Sequence, residues 1–276
     1  ALEAGIEMDY VRSMIRKHGL FPDRPPLDIA AWPWKIKVTT LGSFSVKIDG
    51  KPLQFKRKAR QKPLLLLKTL IALGGSEVKE ERLADILWPE AEGDKALQAV
   101  ASNLHRLREM IGHDAIIRKQ GRLSLNRSIF WCDDLALARL IENREAAKTN
   151  TSKSKAMTQI MSLYQGCFLM EESDLPEIVR FRHTINDRFQ RCLREEGALL
   201  IAADRYEEAV TIHRKGLMID GRAGIFLPGL MKCCHALGRI DEARMHYHRY
   251  KRYLKKDHGE EPPKEIQVLY NKLSAM

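Results

Sequence analysis

Residues 96–111 read ALQAVASNLHRLREMI, and this stretch decides the fold. Its apolar side chains recur at steps of three and four, which predicts a helix with one buried stripe. The other faces lack the usual mixture of Glu and Lys and carry side chains that can donate hydrogen bonds to phosphates or base edges. These side chains are Gln98, Ser102, Asn103, His105, Arg106 and Arg108. Arginine on an exposed helix face is more often simply solvated, so the helix alone leaves both interpretations open.

A predicted hairpin follows this helix at once. Gly112 is a helix stop signal, and residues 115–125, AIIRKQGRLSL, predict two short strands around a tight turn with a basic tip. Its polar and basic side chains are Arg118, Lys119, Gln120 and Arg122. A polar-faced helix followed by a basic hairpin is the order of elements in a winged helix-turn-helix. We therefore predict a regulator that binds double-stranded DNA. Helix 96–111 would read the major groove, and the hairpin would touch the flanking groove or backbone.

Composition agrees with this prediction and excludes other classes. The chain has 276 residues and a net charge of +11, and residues 35–128 hold 19 Lys and Arg against 10 Asp and Glu. Most of the positive excess therefore falls in the predicted DNA-binding segment. The five cysteines are scattered without metal-ligand spacing, which predicts reduced thiols, no metal and no cofactor. No apolar run approaches 18 residues, so we expect a cytoplasmic protein with no membrane segment.

The order of predicted elements suggests three parts. Residues 1–34 are expected to form a helical tail and a proline-rich linker, and the missing initial Met suggests the C-terminal part of a longer chain with upstream domains. Residues 35–132 are expected to form the winged domain, and 133–276 an all-α domain in which Thr149–Ser154 is a mobile polar stretch. Within 35–132 we predict strands at 35–41, 43–48 and 52–55, helices at 63–73 and near 78–87, and a cap at Asp94 for the reading helix.

An internal repeat characterises the all-α part. Residues 205–209, RYEEA, recur as 239–243, RIDEA, at an offset of 34 residues. This is the tetratricopeptide period, in which a small alanine lies where two helices pack closely. We therefore expect Ala209 and Ala243 at helix–helix contacts of a scaffold that binds other protein segments.

These residues resemble a known bacterial arrangement. The pattern LADILWP at 83–89 followed by NLHRLREMIG at 103–112 resembles the winged domain of transcriptional activators of the antibiotic-regulatory-protein type. Residues 155–273 resemble the tetratricopeptide-like bacterial transcriptional activator domain. The matching segments there are LYQG at 163–166, YEEA at 206–209, LGR at 237–239 and HGEEPPKE at 258–265.

The resemblance implies roles for particular residues. Ser102, Asn103 and Arg106 would face the groove, with His105 and Arg108 nearer the backbone. Arg106 could reach a guanine edge, and Asn103 an adenine edge. The loop with Trp88, Glu90 and Glu92 would contact RNA polymerase, or else simply connect two helices around Trp88. Self-association on DNA is a further expectation. Glu109 beside Arg108 and Asp220-Gly221 in the repeats depart from the family pattern.

Two rival functions remain open at this point. An enzyme is disfavoured because the sequence contains no phosphate-binding loop, dinucleotide fingerprint, zinc-protease or nucleophile-elbow motif. The second rival is a tetratricopeptide-type adaptor in a signalling complex, whose winged domain would serve protein contact; the basic balance of 35–128 argues against it. The basic run Lys56, Arg57, Lys58, Arg60 and Lys62 fits phosphate contact or a solvated charged surface equally well.

Overall fold

The structure is a computed structural model that describes residues 1–2, 5–22, 24–54, 61–172, 175–219 and 224–274, apart from the side chains of residues 257 and 258. The described residues are mainly helical with two small sheets, so the predicted fold class, mainly α with a small antiparallel β component, is confirmed. The chain divides into two compact units. Unit 1 comprises Ala1–Glu142 and Ile160–Asn186, and unit 2 comprises Asn143–Gln159 and Asp187–Met276. This division does not test the predicted domain limits after residues 34 and 132, which stay a prediction.

Unit 1 contains a helix-turn-helix core and two sheets. Its elements are α1 (Met8–Lys17), β1 (Ile36–Thr39), β2 (Ser45–Ile48), β3 (Lys51–Pro52), α2 (Gln61–Ala72), β4 (Val78–Lys79), α3 (Glu80–Leu87), α4 (Gly93–Ile111), β5 (Ile116–Lys119), β6 (Arg122–Leu125), β7 (Phe130–Cys132) and the first part of α5 (Asp133–Ala146). It also holds the last residues of α6 (Asn150–Leu163) and the first part of α7 (Pro176–Ala202).

The first sheet has the strand order β3-β2-β1-β7, in which β1 and β7 are parallel and the other pairs antiparallel. Ile36 and Val38 alternate towards the core and are fully buried, as strand periodicity requires. The second sheet has the order β4-β6-β5 and is antiparallel throughout. The β5–β6 hairpin agrees with the prediction from the sequence. Strand β4 differs from it, because the predicted helix near 78–87 included Val78–Lys79.

The proline-rich segment before β1 is packed on unit 1 rather than extended as a linker. The indole Nε1 of Trp131 donates to the Leu27 carbonyl at 2.9 Å, and Nε1 of Trp34 donates to the Ile29 carbonyl at 3.1 Å. Trp34 is buried with Trp131 and Ala136 in one apolar cluster. The prediction of a linker was wrong because prolines prevent a helix or central strand but do not prevent aromatic side chains from being buried.

The junction between β7 and α5 is tied to the end of β1 by a buried carboxylate. Asp133 accepts hydrogen bonds from the Thr40 backbone N–H at 2.8 Å, from the Thr40 hydroxyl at 2.6 Å and from the Leu41 N–H at 2.9 Å. The next residue, Asp134, is also buried, but neither of its carboxylate oxygens has a hydrogen-bond partner of good geometry among the described residues. These neighbouring carboxylates are therefore expected to differ in what their charge contributes to stability.

Unit 2 is built from helices. Its elements are the last residues of α5, most of α6, the second part of α7, α8 (Tyr206–Ile219), α9 (Leu227–Ala236), α10 (Ile240–His258) and α11 (Lys264–Ser274). The 34-residue repeat is confirmed: α8 and α10 begin one residue after Arg205 and Arg239, and Ala209 and Ala243 are both buried. Arg239 also donates to the two carboxylate oxygens of Glu207 at 2.9 and 2.5 Å, which connects the starts of the two repeats.

The polar stretch Thr149–Ser154, for which the sequence predicts mobility and no helix, is helical from Asn150 onward. Helix α6 begins at Asn150, and the Thr149 hydroxyl accepts from the Ser152 backbone N–H at 3.2 Å, as a capping residue does. Ser154 donates to Glu196 at 2.5 Å, and Arg144, also buried, donates to Glu195 and Glu196 at 2.6 and 3.2 Å. The sequence missed this helix because its start is stabilised by partners about 40 residues away in the chain.

Every helix in the described parts of the chain is too short or too polar to span a lipid bilayer.

Candidate nucleic-acid interface

Helix α4 is the second helix of a helix-turn-helix. It packs against α2 and α3 through a buried stripe that includes Val100, Leu104, Leu107 and Ile111, which confirms the predicted periodicity. The helix begins at Gly93 with Glu92 at the N-cap position and no side-chain capping bond, so the predicted cap at Asp94 was wrong. Asp94 lies in the first turn, where a carboxylate interacts favourably with the positive end of the helix dipole.

The opposite face of α4 is open to solvent. Gln98, Ser102, His105 and Arg106 are all exposed along it. His105 lies 3.3 Å from Glu109, one turn further on, whereas Arg106 has no hydrogen-bond or ion-pair partner among the described residues. A guanidinium without an internal partner retains all its donors for an external ligand. Ser102, His105 and Arg106 thus form a continuous polar surface, which we call the α4 face.

Asn103, which the sequence placed on the reading surface, points inward. Its side chain is 8% exposed, and its Nδ2 donates to the Ala99 carbonyl one turn earlier at 2.8 Å. Asn103 lies at the edge of the buried face of α4, between Val100 and Leu107. At such an edge, helical periodicity alone does not show whether a side chain points to the core or to solvent. In this conformation the amide is directed away from the α4 face.

Arg108 joins α4 to the hairpin. Its Nη2 donates to the Ile116 carbonyl in β5 at 2.6 Å, and its Nε is buried. The sequence predicted Arg108 near the DNA backbone. In the structure, Arg108 instead connects the helix to the first hairpin strand through this hydrogen bond.

The hairpin has the tight turn that the sequence predicted. Gln120 and Gly121 both have positive φ, 49° and 68°, which is the pattern of a type I′ turn matching the twist of antiparallel strands. Lys119 and Gln120 are exposed at the tip, and Arg122 is half-buried. The third strand, β4, extends this wing on the side of β6, and the N–H of Glu80 donates to the Gly121 carbonyl at 2.9 Å.

Three cations lie side by side across the wing. In the registers of its strand pairs, Arg122 lies opposite Lys79 on one side and opposite Lys119 on the other. Like charges at directly opposite positions destabilise a sheet. We call this set the wing cation row. Lys79 has no signal in the sequence that assigns it to the wing, because only the pairing of β4 with β6 places it beside Arg122, 43 positions later.

Arg118 differs from the other wing cations because its charge is satisfied internally. Its Nε and Nη2 donate to the two carboxylate oxygens of Glu80 at 2.6 and 2.7 Å. This hydrogen bonding to Glu80 is the main reason that the pKa of Arg118 is raised. Glu80 is buried at the start of α3, so the pair holds β5 against the helix-turn-helix.

The turn between α3 and α4 is acidic at its surface. Trp88 is half-buried, and the ammonium of Lys62 lies 5.8 Å from the centre of its ring. Glu90 and Glu92 are exposed, and Glu92 pairs with Lys95 at 2.8 Å. Lys62 is the one member of the predicted basic run within the described residues. Lys56, Arg57, Lys58 and Arg60 lie outside them.

The helical part of the chain matches the model of a known protein family. The model of the bacterial transcriptional activator domain matches residues 134–274, about half of the chain. The chain belongs to this family. The match begins at the second residue of α5, directly after the winged-helix elements, and it includes the 34-residue repeat. The activator domain is typical of transcriptional regulators and not of a class of enzymes, in agreement with the sequence prediction. The departure predicted at Asp220-Gly221 lies outside the described residues.

A solved structure supports the order of the elements. Mycobacterium tuberculosis EmbR in complex with a low affinity phosphopeptide matches this chain with a TM-score of 0.62 and 18% sequence identity. The match covers 88% of this chain and 65% of the EmbR chain. The shared fold is a winged domain followed by a helical domain, and it extends the likeness beyond the activator domain to the DNA-reading elements predicted here. No curated protein sequence matches the chain.

Proposed function

We propose that this chain is a sequence-specific DNA-binding regulator of bacterial transcription, acting in the cytoplasm as an activator. The α4 face would enter the major groove, and the wing cation row would contact phosphates beside it. The observation that carries the proposal is an exposed Arg106, with no ion-pair partner among the described residues, beside three adjacent wing cations in one winged helix-turn-helix. Membership of a family of transcriptional activators supports the same conclusion.

The proposal assigns different roles to the residues of the two surfaces. Arg106 can donate two hydrogen bonds to the O6 and N7 edge of guanine, while Ser102 and His105 are suited to bases or phosphates nearby. Lys79, Lys119 and Arg122 would contact phosphates and release counterions, which makes binding depend on salt. Arg108, Arg118 and Asn103 would position these surfaces without touching the DNA.

Selection of bound sequences from random duplex DNA, followed by affinity measurements on the selected site, tests the proposal. We expect Arg106→Ala to weaken specific binding by about 1–3 kcal/mol and to relax the preference at one base position. Arg244→Ala, which removes an exposed arginine from α10 in unit 2, is the matched control and should change neither quantity. Unchanged affinity and base preference in Arg106→Ala would show that the α4 face is not the reading surface.

Substitutions in the wing give a second, independent test of the proposed DNA binding. Neutralising Lys119 or Lys79 should weaken binding to all sequences alike and reduce the slope of log K against log salt by about 1. A change in base preference with an unchanged slope would contradict phosphate contact. If neither surface affects DNA and the chain binds no duplex at low salt, the winged domain serves protein contact and the adaptor alternative is favoured.

We propose further that the turn with Trp88, Glu90 and Glu92 contacts RNA polymerase. Its two exposed carboxylates beside the reading helix suit a basic partner surface. Glu90→Lys should leave DNA affinity unchanged or slightly higher and lower transcription from a bound promoter. Full activation by this variant in a reconstituted transcription assay would exclude a contribution of Glu90. Self-association on DNA would appear in the same binding curves as cooperativity between adjacent sites.

A further inference from the structure

A second concentration of positive charge lies in unit 1, apart from α4 and the wing. A cleft of about 870 Å³ opens between α1, the residues before β1, and the strands β1 and β2. The charged side chains along it are Arg12, Arg16, Lys17, Lys37 and Lys47, against Asp9 and Asp49. We call this the α1 cleft. Its composition gives an excess of three positive charges at neutral pH.

At the centre of the α1 cleft, two lysines occupy positions where like charges destabilise a β-sheet. Lys37 in β1 and Lys47 in β2 are directly opposite each other in the antiparallel register. Like charges at such positions repel across about 5 Å, whereas an apolar or oppositely charged pair would stabilise the sheet. Local violations of this kind are typical of functional positions, because the sequence retains them at a cost in stability.

Among the residues that the structure describes, few carboxylates neutralise this charge. Asp9 pairs with Arg12 at 3.2 Å, but the Asp9 carboxylate is almost fully exposed. Arg16, Lys17 and Lys47 have no ion-pair partner within the described parts of the chain. The pKa of Lys37 is lowered, first by burial and then by repulsion from Lys47 and Arg12. For Lys37, the repulsion from Lys47 and Arg12 therefore exceeds the attraction of Asp133, the carboxylate that raises its pKa.

The main chain holds two of these cations in place. Lys37 Nζ donates to the Ala30 carbonyl at 3.1 Å, and Arg12 Nε donates to the Ala31 carbonyl at 2.7 Å. These bonds occupy only part of the donor capacity of each group, since an ammonium has three donors and a guanidinium five. Trp32 lines the same cleft and gives it an aromatic wall.

We propose that the α1 cleft binds a small molecule with two or more linked phosphate groups, of the size of a nucleoside diphosphate or triphosphate. The excess of three positive charges matches a diphosphate or triphosphate, and the volume lies within the range of small-molecule sites. The phosphates would contact Lys37, Lys47 and Arg12, and Trp32 offers a surface on which a base can stack. None of these residues belongs to α4 or the wing, so this site does not depend on the proposed DNA contacts.

The test measures binding to the intact chain at fixed ionic strength, using inorganic pyrophosphate, ADP and ATP as probes. Lys47→Glu is the informative variant. Without ligand it should raise the melting temperature, because it places a carboxylate opposite Lys37. With ligand it should weaken binding about tenfold or more, because attraction to the phosphates becomes repulsion. Lys232→Glu, a charge reversal on an exposed residue of α9, is the matched control and should leave probe binding unchanged.

The comparison of probes and variants decides the outcome. Saturable binding of all three probes, lost in Lys47→Glu and retained in Lys232→Glu, supports the α1 cleft. Tighter binding of ADP than of pyrophosphate, with quenching of tryptophan fluorescence, supports a stacked base as well. The proposal fails if no probe gives a saturable signal, or if both variants weaken binding equally. It also fails if Lys47→Glu lowers duplex DNA affinity and the salt slope without any probe binding, since the cleft would then be part of the DNA surface.

Discussion

Asp134 is a buried carboxylate with no hydrogen-bond partner of good geometry among the described residues. Burial raises its pKa to about 7; interaction with the Cys132 thiol opposes this rise, and the neighbouring Asp133 carboxylate adds to it. Asp133, one residue earlier, accepts hydrogen bonds from main-chain N–H groups and a hydroxyl. Burial raises the pKa of Asp133 too, but its hydrogen bonds oppose that rise. The two adjacent residues therefore differ in the hydrogen bonds that are lost when the carboxylate is removed.

We predict that Asp134→Asn raises the free energy of unfolding at pH 8 and above. The folded-state pKa is above the unfolded value of 3.8, so the folded form retains a proton that the unfolded form releases as pH rises from 4 to 7. The wild-type chain loses stability over that range, and the neutral amide does not. The gain should disappear below pH 4 in denaturant titrations. Asp133→Ala, the comparison variant, should destabilise the chain because it removes both oxygens that accept from the Thr40 and Leu41 N–H groups.

At the scale of elements, α7, α8 and α9 meet around one imidazole. His213 in α8 is 6% exposed, and neither of its ring nitrogens has a partner among the described residues. Gly197 in α7 and Gly229 in α9 lie against the ring, and a Cβ at these positions would approach it to 2.8 and 2.3 Å. Two helices thus approach α8 closely because glycine leaves room for the ring.

We predict that Gly229→Ala destabilises unit 2 by about 1–3 kcal/mol, because the added methyl group overpacks a fixed ring. The helix propensity of alanine offsets about 1 kcal/mol of this at most. Gly93→Ala, at the start of α4, is the matched control: it has open space around the new Cβ and should leave stability unchanged or slightly raised. Equal denaturation midpoints for the two variants would rule out the close packing around His213.

Elements with a local sequence signal could be predicted, and those defined by distant partners could not. Helix α4 and the β5–β6 turn follow from residue spacing and from Gln120-Gly121. Strand β4 has two residues and no periodicity, and only its pairing with β6 defines it. The same distinction applies to the residues of the candidate site. The exposure of Arg106 could be predicted from the helix period, but the ion pair of Arg118 could not, because its partner Glu80 lies 38 positions away in the chain. A sequence pattern cannot show which cations are neutralised by the fold.

At the scale of the whole molecule, each unit contains a buried titratable group, and the two groups change the stability of their units in opposite directions as pH falls. Asp134 lies in unit 1 and gives it stability as pH falls from 7 to 4. His213 lies in unit 2, where burial lowers its pKa to about 4, below the usual 6.5. Between these values the unfolded form binds a proton that the folded form does not, so unit 2 loses stability as pH falls from 6.5 to 4.

We therefore predict that the unfolding transitions of the two units move in opposite directions between pH 6.5 and pH 4. All four tryptophans, at positions 32, 34, 88 and 131, are in unit 1, so tryptophan fluorescence follows that unit, while far-ultraviolet circular dichroism follows both. The two signals should give midpoints that diverge on acidification. Asp134→Asn should reduce the fluorescence trend, leaving the part due to Asp133, whose pKa burial also raises, without altering the loss in unit 2. Midpoints that coincide at every pH would contradict independent titration of the units.

The bond from Arg108 to the Ile116 carbonyl has a consequence for the thermodynamics of the proposed binding to duplex DNA. A reading helix and a wing that moved independently would each lose freedom on meeting the same duplex, and that loss opposes binding. Because Arg108 fixes the start of β5 against α4, part of this ordering is already present in the free protein. Breaking the bond would leave the contacts at the groove unchanged and increase the motion of the wing. The effect would be a less favourable entropy of binding, with faster backbone fluctuations confined to residues 116–125.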